Sequence, residues 1–272
     1  MGSLKILLLI IIIPCLALGQ EIKSTFFSRC EKFKEYDCQK LWDLFEKAHV
    51  NKDPCNISVE AYDRLIAAAP FKPECNKAML WSLTEKWVRE LKASRPECFQ
   101  PLLKTPLASV LEGLTWCGKE GSKDTFATMR EPKDNCNIQC NSISDSDSAD
   151  YAASASGHVT ALLNGSTDPP FNPSGVFACV EVPKLDPKKV QRLNVVIISE
   201  NKAKSTCSHT CLNKLKEMLK GGISYTCKEV SESQIDDCIN NESILCADCF
   251  SGSWVVRPSV LSFIVLCFLF MF

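Results

Sequence analysis

The chain has 272 residues, with 31 basic against 32 acidic side chains and 46% hydrophobic residues. A charge balance this close to neutral, without a basic stripe, speaks against a nucleic-acid partner. The 11 glycines are scattered, so no phosphate-cradling loop forms, and a P-loop or dinucleotide fingerprint is excluded.

In chain order, the first element is a leader. Lys5 supplies a positive start, Leu7 to Ile13 an apolar stretch too short to span a bilayer, and Ala17-Leu18-Gly19 a small-residue cleavage site. Residues 1–19 read as a signal peptide, leaving Gln20 as the first mature residue. Leu41, Leu44, Phe45 and Ala48 follow the spacing of one helical stripe. Ser58 fits the N-cap of a second helix carrying Val59, Tyr62, Leu65 and Ile66 and ending by Pro70. A third helix is predicted over Lys77 to Lys92, with Leu80, Leu83, Trp87 and Leu91 as its buried stripe. Trp81 then lies one residue, about 100°, off that stripe. A fourth helical stretch, Leu107 to Leu114, leads into Thr115-Trp116-Cys117-Gly118.

The stretch Asn141 to Ser156 is rich in Ser, Asp and Ala and reads as a solvated loop or a weak helix. The last third is α/β in pattern. Leu193 to Ser199 is a β-branched run suited to a strand buried on both faces, and Leu212, Leu215 and Leu219 share a helix face. Gly221-Gly222 stops that helix, and Ile223 to Val230 forms a second strand, so a parallel βαβ unit is expected. The fold class is thus α/β (α+β): a helical N-terminal part and a C-terminal part with a small parallel sheet.

The apolar tail Val260 to Phe272 would reach about 20 Å as a helix, short of a ~30 Å hydrocarbon core. Preceded by Ser251-Gly252-Ser253, it matches a glycosylphosphatidylinositol (GPI) signal over 251–272, with Ser251 as the attachment residue; a short tail-anchored helix is the alternative. The mature ectodomain, 20–250, would then sit on the outer face of the plasma membrane. Of 17 cysteines, Cys15 and Cys267 leave with the two ends, so 15 remain. In an exported chain that density means a disulfide framework, and the odd count leaves one thiol free or paired between chains, which keeps a homodimer open. Metal binding by Cys207 and Cys211 or by Cys246 and Cys249 is the competing use of these thiols, and the oxidising compartment argues against it. Asn56, Asn164 and Asn241 begin glycosylation sequons. The histidines, His49, His158 and His209, stand beside no known nucleophile signature. Composition and periodicity therefore name no reaction.

Several stretches, in order, do. They are Arg29-Cys30 to Cys38-Gln39, Asp53-Pro54-Cys55-Asn56-Ile57, Glu74-Cys75-Asn76-Lys77 into Leu80-Trp81-Ser82, Leu114-Thr115-Trp116-Cys117-Gly118, Leu163-Asn164-Gly165-Ser166, and Val180-Glu181-Val182 with Leu185, Pro187, Lys189 and Val190. Together they resemble the ADP-ribosyl cyclase family, exported NAD glycohydrolases. The resemblance implies a helical part mainly over 20–74 and 101–155, an α/β part mainly over 75–100 and 156–250, and a cleft between them. It implies cleavage of the nicotinamide–ribose bond of NAD, with NAD as substrate and no metal or cofactor. The products would be ADP-ribose and, by intramolecular capture, cyclic ADP-ribose. It implies the bridges Cys30–Cys38, Cys55–Cys136, Cys207–Cys227 and Cys238–Cys246. Cys75 and Cys117 lack their family partners, and Cys98, Cys140, Cys179, Cys211 and Cys249 are additional, so some bridges must be rerouted.

Carried over by position, Glu181 falls on the catalytic glutamate, Trp81 on a cleft tryptophan, Ser148 on the serine near the reacting ribose, and Glu112 near an acidic cleft position. Leu103 and Lys104 replace an acidic pair that tunes cyclisation against hydrolysis. Ser144 or Asp145 stands where a second cleft tryptophan belongs, a loss worth about 1–3 kcal/mol of ring stacking. These departures leave an alternative open, a catalytically weakened member acting as a surface receptor or adhesion protein.

Overall fold

The computed structural model describes residues 23–49, 57–112, 114–116, 126–128, 142–200 and 203–251. The leader, Asn56, the Cys55–Cys136 pair and the tail from 252 onward lie outside them. Its centre is a five-stranded sheet in which every pairing is parallel, ordered β2-β1-β5-β6-β7. The strands are β1 (Ala78–Ser82), β2 (Gln100–Pro101), β5 (Gly157–Asn164), β6 (Val190–Ser199) and β7 (Ser224–Ser231). A separate antiparallel pair joins β3 (Leu114–Trp116) to β4 (Phe126–Thr128).

β6 bears out the reading of a doubly buried strand. Leu193, Val195 and Ile197 enter one core, with β5 residues Val159, Ala161 and Leu163, while Val196 and Ile198 enter the core on the opposite face with Leu162. A strand apolar on both sides has no solvated face and must lie inside the sheet. The βαβ unit follows as expected. α8 (Cys211–Met218) buries Leu212 and Leu215, and β7 pairs parallel to β6.

Where a single helix is predicted over 77–92, the chain forms β1 and then α4 (Glu85–Ser94). Asn76 at φ 67° and Leu83 at φ 60° adopt left-handed backbone, which no right-handed helix can pass through. The predicted stripe is therefore split. Leu80 packs against one face of the sheet, Leu83 is exposed, and Trp87 and Leu91 belong to α4 on the other face.

The N-terminal helices, residues 23–30 (α1), α2 (Cys38–His49) and α3 (Asp63–Ala68), pack with α5 (Pro106–Leu111) around Phe26, Trp42, Phe45, Tyr62 and Leu107. A 3-10 turn at Val59–Tyr62 precedes α3, and Ser58 makes no side-chain cap there. α5 ends at Leu111, and Leu114, expected to be helical, begins β3. The low-complexity stretch is α6 (Ser142–Ser154), and its Tyr151 and Ala152 are buried against the sheet. The Tyr151 hydroxyl accepts from the Met79 amide at 2.9 Å and donates to the Gln100 carbonyl, so one phenol spans the β1–β2 edge. No helix among the described residues is long and apolar enough to cross a membrane.

The bridges Cys30–Cys38 and Cys207–Cys227 are present. Cys238–Cys246 is not: Cys238 bonds Cys249, and Cys246 bonds Cys98. The cause is Arg95, buried just beyond α4. Its guanidinium donates to the carbonyls of Cys238 at 2.9 Å and Ile244 at 2.6 Å. The segment after α9 (Glu232–Asn240) wraps around that cation, which turns Cys246 toward Cys98 and returns Cys249 to Cys238. Cys246 and Cys249, like Cys207, thus have their thiols in disulfides.

Candidate functional site

Parallel strands present their C-terminal ends along one edge, the usual place for a ligand in such sheets. Trp81 stands next to last in β1, registered with Leu162 of β5. It is only partly buried and touches the cores on both faces of the sheet. Beyond the strand ends, the Asn164 side chain donates to the Leu83 carbonyl at 3.0 Å, and Ser82 Oγ accepts from the Asn172 amide at 3.3 Å. These bonds tie the β5 exit loop to β1. Gly165 has to be glycine, since a β-carbon there would lie 2.2 Å from Ser199 Oγ and 2.6 Å from Ile197 Cγ2.

That loop leads into a π-helical turn, Phe177–Glu181, followed by α7 (Val182–Lys184). Single π turns are uncommon and recur at functional sites. Phe177, Ala178 and Val182 anchor this one in the core, and it packs against α6 and β1. Glu181 closes the turn. Rather than lying exposed on a strand, it is 4% exposed. Burial pushes its carboxyl up to about 8, against which a hydrogen bond from Ser148 pulls down. Oε2 has no hydrogen-bond partner among the described residues. A buried carboxyl oxygen without a partner is rare and marks a candidate site.

Ser148 reaches Glu181 from α6, where three successive polar residues are buried in different directions. Ser146 donates to the Val59 carbonyl at 3.3 Å. Asp147 accepts from Thr105 Oγ1 at 2.9 Å. Ser148 faces Glu181 and acts to lower its carboxyl. Burial raises the Asp147 carboxyl to about 6, with the Thr105 bond opposing and Asp150 adding to the rise. Thr105 also caps α5, accepting from the Ala108 amide at 3.0 Å. Asp147 and Thr105 escape the sequence reading. Their one sequence cue is that Ser148, Tyr151, Ala152 and Ala155 repeat at helical spacing inside the polar run.

Glu112 is engaged in an ion pair. Its carboxylate pairs with Arg89 of α4, which also binds Glu85 at 2.6 Å, and no hydrogen bond among the described residues joins it to Glu181 or Ser148. Leu103 packs against the sheet core, and Lys104 donates to the Pro96 carbonyl at 2.9 Å. Asp145 is half-buried, and burial raises its carboxyl. Of the sequons, Asn241 is exposed and its Oδ1 accepts from Ser243 Oγ at 2.6 Å, whereas Asn164 is engaged with Leu83.

A family profile described as ADP-ribosyl cyclase matches residues 19–247. The chain is 30% identical over 205 residues to the ADP-ribosyl cyclase/cyclic ADP-ribose hydrolase 1 of Oryctolagus cuniculus, covering 73% of this chain and 68% of that protein. Among solved structures it is similar to porcine CD38 holding a covalent intermediate, ribo-F-ribose-5'-phosphate, at TM-score 0.68 and 29% identity, with 78% of this chain and 96% of that one covered. It is also similar to Aplysia cyclase complexed with substrate NGD and product cGDPR, at TM-score 0.68 and 26% identity, over 77% of this chain and 88% of that one. With five parallel strands, the buried glutamate and a match over most of its length, the chain belongs to the ADP-ribosyl cyclase family.

Proposed function

We propose that this protein cleaves the nicotinamide–ribose bond of NAD, releasing nicotinamide and forming ADP-ribose and cyclic ADP-ribose. The observation that carries the reading is Glu181, buried, faced by Ser148 and with one oxygen unpartnered among the described residues. Departure of neutral nicotinamide leaves an oxocarbenium-like ribosyl centre, and a carboxylate beside it stabilises the developing charge. Burial by itself favours the neutral acid. The cationic nicotinamide ring of bound NAD reverses that preference, because an opposite charge nearby favours the ionised form. Substrate binding would thus generate the carboxylate it needs and release a proton. Trp81 supplies an indole face for a flat ring, and Asp147, through Thr105, holds the helix that carries Ser148.

The flanking segments support export and display. The leader over 1–19 directs the chain outward, and Ser251 receives a GPI anchor as 252–272 are removed. Asn241 is the described sequon best placed for a glycan. A free cysteine leaves a homodimer open, which the band size on a non-reducing gel distinguishes.

The test is turnover of a fluorescent etheno analogue of NAD by the full chain displayed on cells. Wild-type turnover with loss of about 100-fold or more in Glu181→Gln supports the reading, in line with removal of one preorganised stabilising group. An intact surface protein that turns over no NAD overturns it in favour of a receptor. Chromatography of the products reads the ratio of cyclic to linear ADP-ribose.

A further inference from the structure

The loop after β5 and the start of α8 bring together three chemistry-bearing side chains that the proposed NAD reaction does not use. His209 Nδ1 lies 2.9 Å from Cys211 Sγ, and His209 Nε2 lies 3.0 Å from Asp168 Oδ1. The Cys211 amide also points at Nδ1, at 3.3 Å. Nδ1 is therefore the acceptor for both the amide and the thiol, and Nε2–H donates to the carboxylate. A nucleophile, a base and a group that orients the base stand in line, the arrangement that activates a weak nucleophile. The array is reachable from solvent: Cys211 is a free thiol of intermediate burial, and the His209 and Asp168 side chains are 21% and 66% exposed. The free thiols of Cys75 and Cys179 have no imidazole partner among the described residues.

We propose that Asp168, His209 and Cys211 form a base-assisted thiol site that reacts with small-molecule disulfides of the glutathione type and holds one half as a mixed disulfide on Cys211. In the reaction Cys211 Sγ attacks one sulfur of the external disulfide. The new bond is Cys211 S–S, the external S–S bond breaks, and its electron pair leaves on the second sulfur. The thiol proton passes to His209 Nδ1 and on to the leaving thiolate. The external disulfide is reduced to one thiol as Cys211 is oxidised, and Asp168 stabilises the transient imidazolium. At rest, burial and then the Asp168 charge push the Cys211 thiol up, opposed by its backbone hydrogen bond and by Lys214. The resting sulfur is thus kept protonated, and a base must act as it attacks. The other groups facing this pair are the Tyr225 phenol, itself pushed up to about 12, and Lys216 over the Tyr225 ring. Glu229 is bound to the Cys207 amide. The sequence alone conceals the site, because His209 and Cys211 match no nucleophile signature and Asp168 lies 41 positions from His209.

The experiment is a time course of oxidised glutathione on the full chain purified in detergent, with intact mass and peptide mapping. The expected result is a glutathione adduct on Cys211 whose rate falls about 100-fold in His209→Gln, the scale of general-base assistance. Asp168→Asn should cost at most about fivefold, because an exposed charge pair contributes up to about 1 kcal/mol. Modification of Cys179 serves as the internal control and should not change. A wild-type rate in folded His209→Gln, or modification of Cys179 while Cys211 stays free, overturns the proposal. Should His209→Gln fail to fold, His209→Asn takes its place, with the same two outcomes deciding.

Discussion

At the scale of single residues, the proposed reaction makes Glu181 and Ser148 the source of both activity and pH behaviour. Ser148 lowers the carboxyl that burial raises, so Ser148→Ala leaves an even weaker acid. A hydrogen bond to a charged group contributes about 1.5–3 kcal/mol, so kcat should drop roughly 10- to 150-fold. The low-pH limb of the etheno-NAD profile should also move to higher pH, a shift that mere loss of fold would not give. The folded carboxyl of Glu181 titrates near 8, against 4.5 as the reference value for the unfolded chain. A carboxyl raised on folding contributes stability that is complete below its unfolded value and is lost as pH rises through its folded value. Without substrate, the wild-type protein should therefore lose stability between about pH 4.5 and pH 8 relative to Glu181→Gln. The Gln variant should melt higher at pH 8 and close to wild type at pH 4.5, with roughly 2–4 °C for each kcal/mol. Thermal melts at the two pH values check this. Glu181 is reached in the sequence through its flanking motif alone. Val180-Glu181-Val182 by itself has the alternation of a strand, and only the π turn shows that the acid points inward.

At the scale of elements, the segment 77–94 shows why a periodic pattern is not enough. Met79, Leu80 and Trp81 are apolar at any period, so helix and strand are equally compatible with the run. Pairing with β5 settled it, because Ala78 to Ser82 fills a slot between β2 and β5 that a helix could not enter. α6 is the converse case. Its Ser and Asp residues give almost no apolar stripe, yet Ser146 and Asp147 each find a hydrogen-bond partner inside, which offsets their desolvation. Arg95 works the same way for the C-terminal loop. Arg95→Met would orphan the carbonyls of Cys238 and Ile244, a cost of about 3 kcal/mol. The melting temperature should fall by roughly 6–12 °C, read by circular dichroism.

At the scale of the whole molecule, two bridges fasten the C-terminal segment, one to α9 and one to the loop between α4 and β2. Non-reducing peptide mapping should recover Cys98 linked to Cys246 and Cys238 linked to Cys249; a Cys238–Cys246 peptide would contradict this arrangement. Cys98→Ser should cost about 2–5 kcal/mol, the usual loss when a native bridge goes, and its melting curve measures it. The sequence by itself determined the parallel βαβ unit, the apolar β6, the α2 stripe and the family, because each rests on a short run of neighbours whose periodicity or motif is local. The tertiary structure alone decided that 78–82 is a strand, that a polar run is a buried helix, that Glu112 serves Arg89, and which cysteines join. Those outcomes depend on which groups meet across tens of residues, and burial, pairing and desolvation are set only when the chain has closed around them.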